Sequence, residues 1–343
     1  MFFVGAKYEE EIMMMINLIT DTYHARCFKH LFVLALWLIV MLAPSSALAF
    51  DIRIGTEKSG SFSHFTGRIV CRIIEKQSDD LKCTVVPADG HVHNLTNLQG
   101  GSLDLCIVDA RMLYDAVAGQ GLFEFFDIAY DNLREVMPLY DLPVAVVVHS
   151  TAGVQSLDDL KGKRINAGAP RSQQHLATET IMDIKSWSQK DFSLMQELPS
   201  SLSQDTMAFC HGSVQAMINI AVHPDPKLQQ LFKLCKAQLL SLNQTEIDAI
   251  RAHHPAFIQI DIAPNTYAAT PQAVQTFGTT MKLVTSDSLD DETVFQIISA
   301  LDQGQRSLKS AHPALDLRMP DPAAQPAGAI QMHPGAAKYL NEQ

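Results

Sequence analysis

Short apolar strands alternate with helical segments through the first half of the chain. The spacing predicts strands over 51–56, 82–88 and 103–109, with helices over 62–77 and 90–100 between them. Neighbouring parallel strands need a crossover of about a dozen or more residues, and that crossover is usually a helix. The alternation therefore predicts an α/β fold built on a largely parallel sheet.

The same pattern continues downstream. One helix is predicted to follow the third strand through Tyr114, and another to place Leu176 and Ile181 on one face. Further strands are predicted at 136–149 (interrupted at Pro143), 164–168, 194–198, 206–212, 257–263 and 279–286, a loop at 199–205, and helices at 290–310 and 334–340.

A strand, a turn of small and hydroxyl residues and a helix follow one another in "IGTEKSGSFSHFTG", residues 54–67. A helix that begins in this way presents free backbone N–H groups, which suit an anion. The turn is not a P-loop, because Ser61 and Phe62 stand where that motif requires Lys and Ser or Thr. The alternative interpretation is an ordinary strand-to-helix turn without a ligand.

The same theme returns in the second half, in "AGAPRSQQHLATETIMDI", residues 167–184. Ligands of open α/β sheets bind at the carboxyl ends of the strands, where such helices begin. Two of these turns, one in each half, predict two α/β lobes that face a shared cleft. The expected anion is a small-molecule carboxylate held between the lobes.

The first 49 residues read as a secretory signal peptide. Lys29 precedes an apolar run of 13 residues, 31–43, and Ala47 and Ala49 follow at small-x-small spacing. The run is too short to span a bilayer, which takes roughly 20 helical residues. We expect cleavage after Ala49 and export to the periplasm.

The exported chain is acidic. Without the leader's three basic and four acidic residues, residues 50–343 keep 23 Lys and Arg and 33 Asp and Glu. A negative balance of this size argues against nucleic acid or an anionic membrane surface as the partner.

The cysteines show no zinc or redox spacing. Cys106 lies in the apolar stretch "DLCIV" and is interpreted as a core residue. An oxidising compartment allows Cys71–Cys83 or Cys210–Cys235 to pair, and the alternative is a set of buried free thiols. No metal or other cofactor is expected.

Four stretches together resemble a known family. Besides residues 54–67, they are "GHVHNLTNLQGGSLDLCIVDARMLYDA" at 90–116, "VQSLDDLKGKRINAGAPRSQQ" at 154–174 and "MHPGAAKYLNE" at 332–342. The chain resembles the periplasmic substrate-binding proteins of the TAXI type, which serve TRAP transporters. The resemblance covers nearly all of 51–343.

The resemblance implies a two-lobed, periplasmic-binding-protein-like (type II) fold with a cleft between the lobes. Lobe 1 is expected to comprise 50–140 plus 275–343 and lobe 2 to comprise 141–274, with hinge strands near 139–147 and 276–281. It further implies a monomeric receptor, not an enzyme, that captures an organic acid or amino acid, glutamate-like or a dicarboxylate. The receptor would deliver that ligand to the membrane subunits of a TRAP permease.

The positions expected to face the ligand are small, hydroxyl, amide or charged residues at strand ends and helix starts. Hydroxyls and free N–H groups suit a carboxylate because they add donors without a second buried charge. The candidate ligand-binding residues are Thr56, Ser59, Gly60, Ser61, Asn94, Asp109, Pro170, Arg171, Ser172 and Gln173.

Two of these residues depart from the family pattern and have open interpretations. Arg171 replaces a Gly and would hold a ligand carboxylate, or else lies on a surface loop. Asp109 replaces a common Gln and would bind an ammonium group, or else pairs with Arg111 or caps a helix.

Further departures lie at Glu57, which replaces a Gly, at His64, which replaces a Tyr, and at His91 and His93, which replace a Ser and a Glu. The histidines show no metal-ligand spacing. The rival classes are an exported enzyme on the same fold and a ligand-binding input protein for a periplasmic sensor. Ser59–Gly60–Ser61 does not form the Gly-x-Ser-x-Gly elbow of a hydrolase.

Overall fold

A computed structural model describes residues 50–199, 204–317, 319–320 and 330–343. The predicted signal peptide, 1–49, lies outside the described residues. No helix among the described residues combines the length and the apolar character needed to cross a bilayer.

The described chain alternates strands and helices, as the sequence predicts. In chain order the elements are β1 (Phe50–Thr56), α1 (Phe62–Gln77), β2 (Leu81–Pro87), α2 (His91–Gln99), β3 (Leu105–Asp109), α3 (Ala110–Ala118), β4 (Leu133–His149), β5 (Arg164–Asn166), α4 (Gln173–Ile184), β6 (Leu194–Gln196), α5 (Gln204–Cys210), β7 (Ala216–Ile220), α6 (Pro226–Leu234), β8 (Ala237–Leu240), α7 (Gln244–His253), β9 (Ile258–Ile262), β10 (Val274–Ser286), α8 (Asp291–Gln303), α9 (Gln305–Ala311) and α10 (Pro334–Asn341).

The helix predicted over 62–77 is confirmed at both ends. Its N-cap is Ser61, whose side chain accepts a hydrogen bond from the backbone N–H of His64. Ile69, Val70 and Ile73 form part of its buried face. A polar cap followed by apolar residues at helical spacing is a local signal, and for that reason the sequence alone could place this helix.

The strand predicted at 206–212 is wrong, because residues 206–210 belong to α5 and residues 211–212 form a turn after it. Phe209 is buried and Met207 is exposed. A short apolar run fits either a strand or a buried helix turn, and only packing decides between them. The loop predicted at 199–205 is wrong at its end, since α5 begins at Gln204. The strands β7 and β8 and the helices α6 and α7 were not predicted from the sequence.

One connected sheet contains ten strands, eight of which follow the order β2-β1-β3-β10-β4-β7-β5-β6. β1 runs parallel to β2 and β3, and β5 runs parallel to β6 and β7. β10 is antiparallel to both of its neighbours on this path, β3 and β4. The α/β class is therefore confirmed, with two parallel regions joined through long antiparallel strands.

β4 changes partners within its own length. Its first part pairs with β10 up to Pro143, which lies opposite Gly278. From Val144 onward it pairs with β7, with Ile220 opposite Val144. Proline lacks a backbone N–H, so it is tolerated at the point where one ladder ends and the next begins. The interruption predicted at Pro143 is therefore a change of partner within one unbroken strand.

The hinge ranges predicted from the sequence, 139–147 and 276–281, fall within β4 and β10. Two hydrophobic clusters lie along these strands. One contains Leu139 and Leu283, and the other contains Val146 and Phe277. The lobe boundaries themselves remain a prediction.

Two disulfides join helices to their neighbours. Cys71–Cys83 connects α1 with β2, and Cys210–Cys235 connects the carboxyl ends of α5 and α6. Cys106 is a buried free cysteine, as the sequence predicts, and burial raises the pKa of its thiol. The two pairings that the sequence left open are therefore both formed.

His223 is a half-buried histidine held by Tyr267. Its Nδ1 lies 2.6 Å from the Tyr267 hydroxyl, which also accepts a hydrogen bond of 2.6 Å from the backbone N–H of Asp225. Burial disfavours the charged imidazolium and lowers the pKa of His223 from 6.5 to about 4. The folded protein therefore holds this side chain neutral at pH 7.

We expect His223 to make the protein less stable in mild acid. Between pH 6.5 and about 4 the unfolded chain binds a proton here that the folded chain does not, so the free energy of unfolding falls as pH falls, by up to about 3 kcal/mol. His223→Gln removes this titration, and its unfolding free energy should fall less between pH 7 and 4 in urea titrations. His93→Gln, at an exposed histidine, is the control. If the free energy of unfolding falls equally with pH in the wild type and in His223→Gln, the lowered pKa of His223 is contradicted.

Candidate functional site

The turn between β1 and α1 is held by its own hydroxyl side chains. Thr56 ends β1, and its Oγ1 lies 3.2 Å from Nδ1 of His64. Ser61 caps α1 by accepting a hydrogen bond of 3.1 Å from the backbone N–H of His64. Gly60 has a φ of +92°, which a residue without a Cβ adopts at little cost. Ser59 and Gly60 are exposed, whereas Thr56 is buried.

Glu57 lies in the same turn and points back to α1. Its backbone N–H donates to Ser63 Oγ at 3.1 Å, and Ser63 Oγ donates to Glu57 Oε2, also at 3.1 Å. The side chain of Glu57 is 35% exposed. A carboxylate therefore stands at the end of β1, at a position that the resemblance gives to glycine.

The first turn of α2 places two buried polar side chains beside β1. His91 is 7% exposed, and its Nε2 lies 3.9 Å from Oε1 of Glu57. Asn94 is 0% exposed. A Cβ added to Gly55 would lie 2.9 Å from Oδ1 of Asn94, so this amide packs directly over the end of β1.

Three atoms of this turn have no hydrogen-bond partner among the described residues. They are Nδ1 of His91 and both amide atoms of Asn94. Buried polar atoms are nearly always hydrogen-bonded, and leaving one unpaired is costly. The first turn of α2 is therefore a candidate for binding a partner that supplies these hydrogen bonds.

Asp109 ends β3 and caps α3. Its Oδ1 accepts hydrogen bonds from the backbone N–H groups of Arg111 at 2.8 Å and Met112 at 3.3 Å, and from Thr279 Oγ1 at 3.2 Å. The guanidinium of Arg111 lies 3.4 Å from Asp115 instead. Of the alternatives open from the sequence, the helix cap is realised and the ion pair with Arg111 is not.

The second turn, before α4, differs from the first in carrying a cation. Arg171 is exposed, has a φ of 65°, and makes no hydrogen bond or ion pair with the described residues. Ser172 caps α4 by accepting a hydrogen bond of 3.2 Å from the backbone N–H of His175. Pro170 is exposed. The guanidinium is therefore available at the start of α4.

Gln173 joins the second turn to the first. Its Nε2 lies 3.3 Å from Oδ2 of Asp109 and 3.4 Å from Nε2 of His91. A continuous set of contacts thus runs from Glu57 through His91, Gln173 and Asp109 to Thr279. We call these five residues the polar network.

Two of the sequence-predicted ligand residues, Asp109 and Gln173, belong to the polar network. The sequence analysis did not include the other three, Glu57, His91 and Thr279, among its candidate ligand residues. Glu57 and His91 stood out as departures from the family pattern, so a signal existed for them. No sequence signal pointed to Thr279, because its contact with Asp109 spans 170 positions in the sequence.

The network creates a negative environment. Burial, followed by the negative charges of Glu57 and Asp109, raises the pKa of Tyr140 well above its usual value. No group of three or more His, Cys, Asp or Glu side chains placed to hold a metal ion occurs among the described residues. The arrangement therefore suits a ligand that brings hydrogen-bond donors or positive charge.

The sequence matches the model of a known protein family, and the fold superposes on solved structures of other proteins. The model of a family described as the NMT1-like family matches residues 54–343. A TctC solute binding protein from Polaromonas superposes with a TM-score of 0.54 at 14% identity, over 80% of this chain and 90% of that one.

PhnD1 from Prochlorococcus marinus, solved in complex with methylphosphonate, gives a TM-score of 0.50 at 13% identity, over 85% of this chain and 96% of that one. At sequence identities of 13–14%, these superpositions show a shared fold and nothing about the ligand. The chain thus has the α/β, periplasmic-binding-protein-like fold that the sequence predicts.

Proposed function

The chain belongs to the NMT1-like family, and on that premise we propose that it is an extracytoplasmic solute receptor that captures a small molecule between two lobes. The observation that supports this most is the unpaired polar turn of α2, where His91 and Asn94 bury three unbonded atoms at the carboxyl end of β1. Ligands of α/β sheets bind at such ends.

Closure of the cleft is the mechanism we propose for capture. His91 and Asp109 belong to the predicted lobe 1, and Gln173 belongs to the predicted lobe 2. The contacts from Gln173 Nε2 to Asp109 at 3.3 Å and to His91 at 3.4 Å would then form only when the lobes approach. A ligand bound by both turns would be enclosed by the same movement.

We propose an amino acid as the ligand in preference to a dicarboxylate. Two carboxylates, Glu57 and Asp109, lie at the site, and a like charge brought beside them at low dielectric is repelled strongly. A ligand ammonium would be attracted to them, while the free guanidinium of Arg171 would hold the ligand carboxylate. A zwitterion would thereby have a charge partner on each lobe.

The proposed cellular role follows from the resemblance to TAXI-type receptors. The predicted signal peptide, 1–49, would deliver the chain to the periplasm, and the membrane subunits of a TRAP permease would receive the ligand. The two disulfides support an oxidising compartment.

Ligand release tests the receptor function. We expect mass spectrometry of the denatured, natively purified protein to identify one small molecule. Adding that molecule back at 100 times its Kd should stabilise the stripped protein by about 2.7 kcal/mol in thermal melts. No released molecule, together with no stabilisation by any amino acid or small organic acid, would contradict a receptor. Turnover of the molecule would indicate an enzyme instead.

A further inference from the structure

The first turn of α2 carries three unpaired polar atoms on one face of the helix. His91 and Asn94 are three residues apart, which places their side chains side by side. Both are more than nine-tenths buried, at 7% and 0% exposure. Their unpaired atoms are Nδ1 of His91 and both Nδ2 and Oδ1 of Asn94. The hydrogen-bonding character of these atoms defines what can bind there.

The polar network determines which nitrogen of His91 holds the proton. A carboxylate oxygen only accepts hydrogen bonds, so Gln173 must turn its NH₂ group toward Oδ2 of Asp109, 3.3 Å away. The same NH₂ group lies 3.4 Å from Nε2 of His91, and because an NH₂ group only donates, this contact is a hydrogen bond when Nε2 accepts. In the neutral ring the proton is then on Nδ1. The unpaired Nδ1 of His91 is a donor.

The turn consequently presents two donors and one acceptor. The donors are Nδ1–H of His91 and the NH₂ group of Asn94, and the acceptor is Oδ1 of Asn94. A carboxylate has only acceptors and would leave Oδ1 unpaired. A primary carboxamide offers its oxygen to the two donors and an N–H to Oδ1, so it pairs all three atoms.

The neighbouring charge favours the same group. Glu57 Oε1 lies 3.9 Å from Nε2 of His91, and Glu57 forms no ion pair with Lys or Arg among the described residues. A second carboxylate brought to this turn would be repelled, whereas a neutral amide would not.

We propose that His91 and Asn94 bind a primary carboxamide of the ligand, so that the receptor selects an amide-bearing compound over the corresponding acid. This inference rests on the proposed receptor function and names the chemical class of its ligand. Asn94 is the residue that sets this preference, because its Oδ1 is the acceptor that a carboxylate leaves unpaired. His91 supplies a donor, and Gln173 and Asp109 are positioning residues that act through its tautomer.

Calorimetry with matched pairs tests the preference. The probes are glutamine against glutamate and asparagine against aspartate, at pH 7 with the stripped full-length exported chain. Since a site built to pair donors and acceptors rejects an analogue that leaves them unpaired, we expect the amide of at least one pair to bind about tenfold tighter or more. Asn94→Ala should bring that ratio close to one, and Asn94→Gln, which restores an amide oxygen, should recover part of it.

His93→Ser is the matched control, because His93 lies on the same turn and is exposed. It should leave the ratio unchanged, and thermal melts establish that each variant is folded. Equal or tighter binding of the acid in both pairs overturns the inference and leaves the receptor function standing. So does a natively released ligand without a carboxamide. If no molecule is released and no probe binds, both proposals fall.

Discussion

Asp109→Asn should weaken binding of an amino-acid ligand by about 2–5 kcal/mol while leaving the protein folded. Asn caps helices about as well as Asp, so the backbone N–H groups of Arg111 and Met112 keep an acceptor. The substitution removes the negative charge expected to attract the ligand ammonium. It also turns an NH₂ group toward the NH₂ group of Gln173, which ends that contact. Isothermal calorimetry with the natively released ligand measures the loss.

Arg171→Gly is the companion variant and should cause a similar loss of affinity. Glycine adopts the φ of 65° at this position without steric cost, so the free energy of unfolding should not fall. Arg171→Lys keeps the charge and should retain part of the affinity. Unchanged affinity in Asp109→Asn, or a native ligand without a cationic group, would show that Asp109 does not bind a ligand ammonium.

Removing both disulfides should lower the free energy of unfolding by about 6 kcal/mol. They close loops of 12 and 25 residues, and chain-entropy arguments give about 3 kcal/mol for each loop of this size. Typical domains have a total stability of about 5–15 kcal/mol, so the loss is a large fraction of it. Urea unfolding of Cys71→Ser/Cys83→Ser, Cys210→Ser/Cys235→Ser and the quadruple variant measures the effect.

The quadruple variant also supplies the control, because a reductant should destabilise the wild type and leave this variant unchanged. Cys106 is buried and free in both proteins. If reduction does not change the stability of the wild type, the two bonds do not contribute as proposed, and the support they give to an oxidising compartment is removed.

Much of the site was accessible from the sequence because its signals are local. The cap at Ser61 and the cap at Ser172 are each followed by a helical pattern within a few residues. A strand end followed by such a cap predicts where free N–H groups point. The sequence therefore located both turns, and Asn94, by resemblance, and Asp109, as a departure from the family pattern, were among its candidate ligand residues.

The contacts between the two turns could not be predicted from the sequence. Gln173 meets His91 across 82 positions, and Thr279 meets Asp109 across 170. Such pairs depend on the order of strands, in which β10 enters between β3 and β4 from the far end of the chain. The role of Gln173 as a link to His91 and Asp109 is visible only once that order is known.

The sequence by itself determined the α/β class, the ends of α1 and the two strand–turn–helix motifs, because each depends on apolar spacing and capping within about 20 residues. The tertiary structure decided that 204–210 is a helix, that β4 passes through Pro143 by changing partners, and which groups Asp109 contacts. The reason is that a short apolar run, a proline or a carboxylate has several low-energy local arrangements. Packing and hydrogen bonding to distant residues select among them.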